Sequence, residues 1–368
     1  MLMAKFRLLA IIALVTLEGC AAKDPASLRE IVVQEVLALQ TDSNYQAVSG
    51  AIFLNGESFQ FHYGVLPDGQ TPDTNTLYEI GSLTKTYTGL LLAQAIEDGK
   101  LELNAPVANY LNNFSADHFS KEGRDATIRD LAAHTSGLSV NIACNNPDLT
   151  TAAKVECYQG HDRVTFFQKL QETSLLDKPG ERYRYSNAGI RLLSHIIEDA
   201  YTLPYQELLQ TYVFSLSGEE DTLFRLGIDD TNRLAVGRDQ TGQLMPNASE
   251  YYFGAGALKT TTDSFLKYMA LYLENPKSVT QRAITLIAGD TDGLGRAYVW
   301  NTFRYDSEGM LYHAGGTFGT SSWVALYPRE NLGIFLVTPL TSPDAQQRLN
   351  EASNKIVDRL RKMIVFSD

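Results

Sequence analysis

The chain has no His-Glu-x-x-His run, no comparable cluster of histidines and acidic residues, and no Gly-x-Ser-x-Gly run. The first absence leaves a metal hydrolase without ligands. The second removes the strained turn on which an α/β-hydrolase presents its serine. Positive charge is also short: 31 basic residues face 43 acidic ones, for a formal net charge of -12. That balance argues against a nucleic-acid partner. No internal repeat and no low-complexity tract occurs in the 368 residues. At roughly 150 residues per domain this length holds about two structural units and a large core. The N-terminal apolar run, Leu8 to Leu17, is about half the roughly 20 residues a membrane-spanning helix needs. Cysteine is scarce, at three residues.

What is present begins with that N-terminus. Lys5 and Arg7 precede the apolar run and small residues surround Cys20, the pattern of an export signal. Residues 1–22 are therefore read as a signal peptide and residues 23–368 as an exported domain of the periplasm or cell envelope. Leu17, Glu18, Gly19 and Cys20 resemble the lipobox of bacterial lipoproteins, in which the cysteine is lipidated and becomes the mature N-terminus. Glu18 is atypical there, and plain cleavage after Ala22 is the alternative. A lipid on Cys20 is then the one membrane attachment expected. The remaining cysteines, Cys144 and Cys157, bound a polar stretch, and an oxidising compartment permits a disulfide between them. Two free thiols in a loop are the alternative.

Along the domain, "SLREIVVQEVLAL" has apolar residues at helical spacing, and two strand-like runs flank Asn55 and Gly56, which predicts a helix and then a hairpin. Leu83 to Ile96 is apolar on nearly every side, with Gly99 placed for a C-cap, so this helix should be central and buried. From about residue 103 to 250 the pattern turns to short helices and polar loops. "TTDSFLKYMALYLEN" then reads as an amphipathic helix, followed by three strands in "GMLYHAGGT", "GTSSWVALYP" and "LGIFLVTPL" and a closing helix. The fold expected is α/β of the α+β type, with a central antiparallel sheet from both termini flanked by helices and a mostly helical insert lobe over about 103–250. A site at the boundary of the two follows.

Ser82 and Lys85, at the start of the apolar helix, are three positions apart and share one face. A serine needs a nearby base, and a lysine serves only if desolvation or a neighbouring cation lowers its pKa. Leu83 and Leu90 to Leu92 supply apolar surroundings. The same spacing recurs at Ser264 and Lys267, so the pair alone decides nothing. An ordered series does: Tyr185 and Asn187 in "RYSNAGI" follow Ser82 by 103 residues, and His313, Ala314 and Gly315 in "YHAGGT" follow Tyr185 by 128. Tyr110 with Asn112, and His62 with Gly64, copy the later motifs outside that order.

With Ser-x-x-Lys, Tyr-x-Asn and His-x-Gly in sequence, the chain resembles the serine β-lactamase and penicillin-binding-protein superfamily. The resemblance is to its branch of class C β-lactamases, D-alanyl-D-alanine carboxypeptidases and related esterases. The phrases "GKLELNAPVANYL", "IRDLAAHTSGL", "KPGERYRYSNAG", "GAGALKTTTDS" and "HAGGTFGTSSW" extend it over most of the mature chain. It implies a β-lactamase/transpeptidase-like fold and a serine hydrolase that needs no cofactor or metal. Ser82 is the expected nucleophile, with Lys85 and Tyr185 sharing its proton; which of them removes it stays open. Asn187 is expected to hold Lys85 and the substrate amide. The backbone N–H groups of Ser82 and Gly316 are the expected oxyanion donors, while Gly315 and Gly316 let substrate lie close to the strand. His134 is read as a structural residue of a loop lining the cleft, His195 as surface or packing. The loop carrying Cys144 and Cys157 is expected to overhang the cleft.

Family β-lactamases usually carry Lys-Thr-Gly as the third motif, where a cation and a hydroxyl recognise a carboxylate. His313 is only partly charged at neutral pH and Ala314 has no hydroxyl, so little or no β-lactam hydrolysis is expected. The implied partner is a small molecule or peptide with an ester or amide carbonyl, among them D-amino-acid-containing envelope peptides. A class C-like β-lactamase or penicillin-binding carboxypeptidase is one alternative, and a non-catalytic envelope lipoprotein that binds peptidoglycan fragments or a protein is another.

Overall fold

The computed structural model describes residues 28–365 apart from 41–44, 145, 147, 249, 275 and 307–308. The expected signal segment and Cys20 lie outside the described residues. Helix α1, Leu28–Gln40, turns Ile31, Val32, Val36 and Leu39 inward at helical spacing. Strands β1, Ala47–Leu54, and β2, Glu57–Gly64, form the hairpin. Asn55 and Gly56 connect them with φ of 51° and 86°, the left-handed pair that a two-residue turn requires.

Helix α2, Thr84–Glu97, is buried along nearly its whole length and gives way to Gly99 at φ 67°. Later come α3, Asn187–Tyr201, and α4, Thr262–Leu273. Ser186 caps α3 by accepting the Gly189 N–H at 2.8 Å, so the cap is Ser186 and Asn187 is already helical. Beyond α4 the chain lays down β3, Ala288–Gly289, β4, Leu294–Arg296, and β5, Asn301–Phe303. The three expected strands follow as β6, Met310–Gly316, β7, Ser321–Tyr327, and β8, Leu332–Thr338, before the closing helix α5, Ala345–Val365.

These eight strands join one antiparallel sheet in the order β2-β1-β8-β7-β6-β5-β4-β3. The N-terminal hairpin thus docks beside the last strand, and the two ends of the chain share one sheet. Alternation along β8 sends Ile334 and Leu336 toward α1 and α5, while Phe335 and Val337 face the core that holds α2 and α4. Every residue of β7 and β8 is buried, as central strands covered on both faces should be. The core on the α2 side continues without a break into the 103–250 segment through Leu131, Phe166, Ile190 and Ile197. No helix among the described residues is long and apolar enough to cross a membrane.

Candidate active site

Ser82 lies in a short 3-10 turn, Gly81–Leu83, that leads directly into α2. The turn is pinned by the 255–258 segment: Ile80 N–H donates to Leu258 O at 3.1 Å, and Leu258 N–H donates to Thr84 Oγ1 at 3.1 Å. Gly81 has φ 51°, and a Cβ there would stand 2.5 Å from Gly316 O. Only glycine lets the nucleophile turn approach β6 so closely.

Lys85, one helical turn on, is wholly buried. Its Nζ lies 3.0 Å from Ser82 Oγ and donates to Ala255 O at 2.5 Å. No carboxylate lies within ion-pair distance of it among the described residues, and burial holds the amine well below its ordinary pKa. Tyr185, just ahead of α3, donates its hydroxyl to Ser82 Oγ at 2.7 Å. Its ring centroid is 4.9 Å from Lys85 Nζ. Burial raises the phenol above its usual range, with the Ser82 bond pulling the other way. A lysine whose burial favours the neutral amine and a phenol whose burial favours the protonated form therefore flank one serine oxygen. Both groups lie within hydrogen-bonding distance of the serine oxygen.

Behind Tyr185 sits His134, with φ 58° and a ring 4.7 Å from the tyrosine ring. Its Nδ1 accepts the Ser186 N–H at 3.2 Å and its carbonyl accepts the Arg184 N–H at 2.7 Å. It is buried against Tyr185 and braces the segment that carries it, the structural role expected of it. Burial, with Lys85, His313 and Arg296 nearby, keeps this imidazole well below its ordinary pKa.

Asn187 reaches the same cavity but not the lysine. Its Nδ2 donates to Asn141 Oδ1 at 3.1 Å, and its own N–H and that of Ala188 both go to Val140 O. Among the described residues no hydrogen bond joins Asn187 to Lys85. The reason is local: the first turn of α3 is stitched to the 139–141 loop, and Ala255 O supplies the partner that Lys85 was expected to find in Asn187. Backbone acceptors carry no sequence signature, although the small residues of "FGAGAL" mark where the chain packs close. Phe253 there adopts φ 45°.

His313 is 3 % exposed and bonds through Nδ1 to Ala314 O at 2.7 Å. Its pKa is pushed down to about 3 by burial first and by Lys85 next. It is therefore neutral at pH 7 rather than partly charged, since burial disfavours the charged ring. Gly315 also differs from expectation. A Cβ there would meet Ile80 O at 2.1 Å and Ser322 Oγ at 2.2 Å, so its missing side chain makes room for the nucleophile turn and not for substrate. Gly316 is the exposed glycine of the pair. With Ser82, Asn187, Tyr252, Thr317 and Phe318 it lines a cavity of about 180 Å³.

Cys144 and Cys157 are bonded, with Cα atoms 5.9 Å apart. They and His161 place their ligand atoms within 4.8 Å of one another, but the disulfide occupies both sulfurs. Tyr158, next to the bridge, stacks on Tyr251 at 4.4 Å and approaches Tyr252 at 4.9 Å and Phe318 at 6.3 Å. The bridged segment thus backs the aromatic wall of the cavity. His195 is buried against Phe166, Phe167 and Phe253, a packing residue.

The family model described as Beta-lactamase matches residues 32–357. A Beta-lactamase of Pseudomonas fluorescens is 24% identical over 366 residues, covering 87% of this chain and 96% of its own. The D-alanyl-D-alanine-carboxypeptidase/endopeptidase AmpH of Escherichia coli K12 is 24% identical over 307 residues, covering 78% of this chain and 77% of its own. Among solved structures, the Beta-lactamase/D-alanine Carboxypeptidase of Yersinia pestis superposes with a TM-score of 0.77 at 20% identity, covering 90% of this chain and 97% of that one. That likeness establishes the fold.

Proposed function

The chain belongs to the beta-lactamase family, and from that premise we propose that it is a serine hydrolase that forms an acyl-enzyme on Ser82 and hydrolyses an ester or an amide. The observation that carries this reading is the serine oxygen held between Tyr185 Oη at 2.7 Å and an unpaired, wholly buried Lys85 Nζ at 3.0 Å.

The chemistry follows from that geometry. Ser82 Oγ attacks the carbonyl carbon while its proton passes to Lys85 Nζ, and the carbonyl π electrons move onto oxygen. The resulting oxyanion would lie at the Ser82 and Gly316 backbone, where one N–H donor is typically worth roughly 3 kcal/mol. Collapse breaks the bond to the leaving alcohol or amine, which takes its proton from the Lys85 ammonium, with the Tyr185 hydroxyl in position to relay it. Water then attacks the acyl ester under the same amine, which releases the acid and restores Ser82. Ala255 O stabilises the ammonium formed in each half-reaction. A binding protein would have no physical reason to keep an uncompensated lysine in this interior.

Neutral His313 offers no fixed cation for a substrate carboxylate at the third motif. We therefore expect esters or amides, including envelope peptides, to be turned over in preference to β-lactams. Export through residues 1–22, to the periplasm or cell envelope and with lipid on Cys20, belongs to the same proposal. The mass of the mature N-terminal peptide distinguishes lipidated Cys20 from cleavage after Ala22.

The test is intact-mass detection of adducts after incubation with a fluorophosphonate, a penicillin and a short-chain activated ester, for wild type and Ser82→Ala. A fluorophosphonate or ester adduct that disappears in the variant supports the proposal. A long-lived penicillin adduct would point to a penicillin-binding peptidase, and rapid penicillin turnover to a β-lactamase. No adduct with any reagent would leave the non-catalytic binder as the better account.

A further inference from the structure

A second cavity, of about 710 Å³, lies beside the catalytic one. Ala248 lines both, and the adjoining wall is Tyr251 and Tyr252, of which Tyr252 faces the catalytic cavity and Tyr251 the larger one. A small void of about 10 Å³ between Asn187 and Arg191, edged by the same two tyrosines, lies at the first turns of α3 and shares lining residues with both cavities.

Its lining holds an unusual concentration of unmet hydrogen-bonding capacity. Four buried nitrogens have no partner among the described residues: Arg191 Nε and Nη1, His161 Nε2 and His195 Nε2. Arg191 is 5 % exposed, lies between the rings of Phe166 and Tyr251 at 4.5 and 4.6 Å, and donates from Nη2 to His161 O and Asp162 O, with Tyr251 as a further polar neighbour. Tyr251 and Asp162 give its charge some compensation, and burial still lowers its pKa to about 10. Lys259, 4 % exposed, donates to Phe224 O at 3.4 Å and feels the Glu79 and Glu250 charges, while burial lowers its pKa. The neighbouring charges are already committed. Arg163 pairs with Glu198 and Asp199, Arg225 with Glu250, and the Asp162 carboxylate caps a helix through Thr165 N–H. Arg191, whose charge is answered by Tyr251 and Asp162, and Lys259, whose charge is answered by Glu79 and Glu250, thus face one empty volume without a close ion pair among the described residues, and a buried cation so placed is costly unless something further answers it.

We propose that this cavity is an anion subsite of the same active site, in which Arg191 and Lys259 receive a carboxylate carried on the acyl part of the substrate. The inference rests on the serine-hydrolase reading and names its substrate class: acyl groups bearing a distal carboxylate. The two histidines extend the match. His195 is bonded through Nδ1 to Glu198 and burial lowers its pKa, so its ring presents the Nε2 lone pair to an N–H or O–H donor; His161 is bonded through Nδ1 to Cys157 O and leaves its Nε2 without a partner among the described residues. A carboxylate flanked by such donors, as in an amino-acid or peptide side branch, meets both demands. The site also compensates for the third motif, because the charge recognition that His313 cannot supply lies on the other side of Tyr252.

The experiment compares p-nitrophenyl hemiesters of glutaric and adipic acid with their neutral methyl-ester counterparts. The readout is the ratio of kcat/KM values, anionic over neutral, in which a general loss of active protein cancels. Wild type should favour the better-fitting hemiester by about tenfold or more, the scale of one charge-assisted contact. Arg191→Met should bring the ratio to about one, Arg191→Lys should restore part of it, and Lys259→Met should fall between. Should Arg191→Met not fold, the lysine variant and Lys259→Met carry the comparison. A wild-type ratio at or below one, or a ratio that Arg191→Met and Lys259→Met leave unchanged, overturns the proposal. Calorimetric binding of adipate against neutral adipamide to the Ser82→Ala protein reads the subsite without turnover. Inert esters with selective adipate binding would sink the hydrolase reading and keep the anion site, whereas equal or no binding of the two probes would mean a water-filled cavity and sink the site.

Discussion

Two Ser-x-x-Lys pairs occupy the same molecule, and their contrast shows how differently one spacing can be housed. Ser264 and Lys267 sit in the first turns of α4. Ser264 N–H donates to the capping Thr261 Oγ1 at 3.2 Å, and its own hydroxyl accepts the Asp221 N–H at 3.0 Å. Lys267, with a side chain 38 % exposed, turns back to Asp263 at 3.1 Å. Every group there is spent on holding a helix end. At Ser82 and Lys85 the spacing is identical, yet the lysine is sealed from water, has no carboxylate partner among the described residues and points at the serine. Spacing brings a serine and a lysine to one helix face; the surroundings decide whether the lysine can be a base.

Exchanging serines gives the sharpest break. Ser82→Ala should abolish ester turnover, by roughly 10⁴-fold or more, as loss of a nucleophile does. Ser264→Ala should leave steady-state rates unchanged and cost at most about 1 kcal/mol of stability through its helix-end bonds. Equal effects of the two would erase the comparison.

The lysines should part in two observables. Lys85→Met should lower kcat by about 10² to 10⁴-fold, and Lys267→Met should not. Stability should move the other way. The folded pKa of Lys85 lies below its unfolded value, so the unfolded chain binds the extra proton and stability rises with pH through that interval. Lys85→Met should therefore raise the melting temperature most at neutral pH, with the gain shrinking as pH approaches about 10.5. A lysine-to-methionine gain at position 267 of equal size would contradict this.

Tyr185→Phe keeps the ring over Lys85 and removes only the hydroxyl. A loss of roughly 10²-fold in kcat, measured on the same ester, is expected for a relay that Lys85 cannot fully replace. The smallest effect concerns His313. With its folded pKa near 3, its ring should show no chemical-shift change between pH 5 and 8 in NMR titration. Its contribution to stability is then complete above about 6.5 and falls away as pH drops toward 3, so His313→Gln should flatten that part of the acid denaturation curve.

Much of this was legible in the sequence, and the parts that were not share a cause. The hairpin at Asn55 and Gly56, the buried helix after Ser82 and the strands β6 to β8 announce themselves through turn chemistry and periodicity. Strands β3 to β5 are two or three residues long, too short for an alternating pattern. Ser82, Lys85 and Tyr185 could be named because their side chains act. The partner of Lys85 is a backbone carbonyl, which any residue at position 255 would supply. The charge of His313 and the packing duty of Gly315 depend on burial between elements far apart in the chain. So does the Arg191 cavity, since nothing in "NAGIRLL" says that the guanidinium will be enclosed by Phe166 and Tyr251.

The central claim is that burial without a carboxylate makes Lys85 a neutral amine at the serine. Its most direct test is NMR titration of protein carrying ¹³Cε-lysine, with the Lys85 resonance assigned by its loss in Lys85→Met. The account predicts an uncharged Lys85 amine at pH 8, titrating well below 10.5. A Lys85 that remains an ammonium up to the ordinary lysine range would contradict it and would pass the role of base to Tyr185.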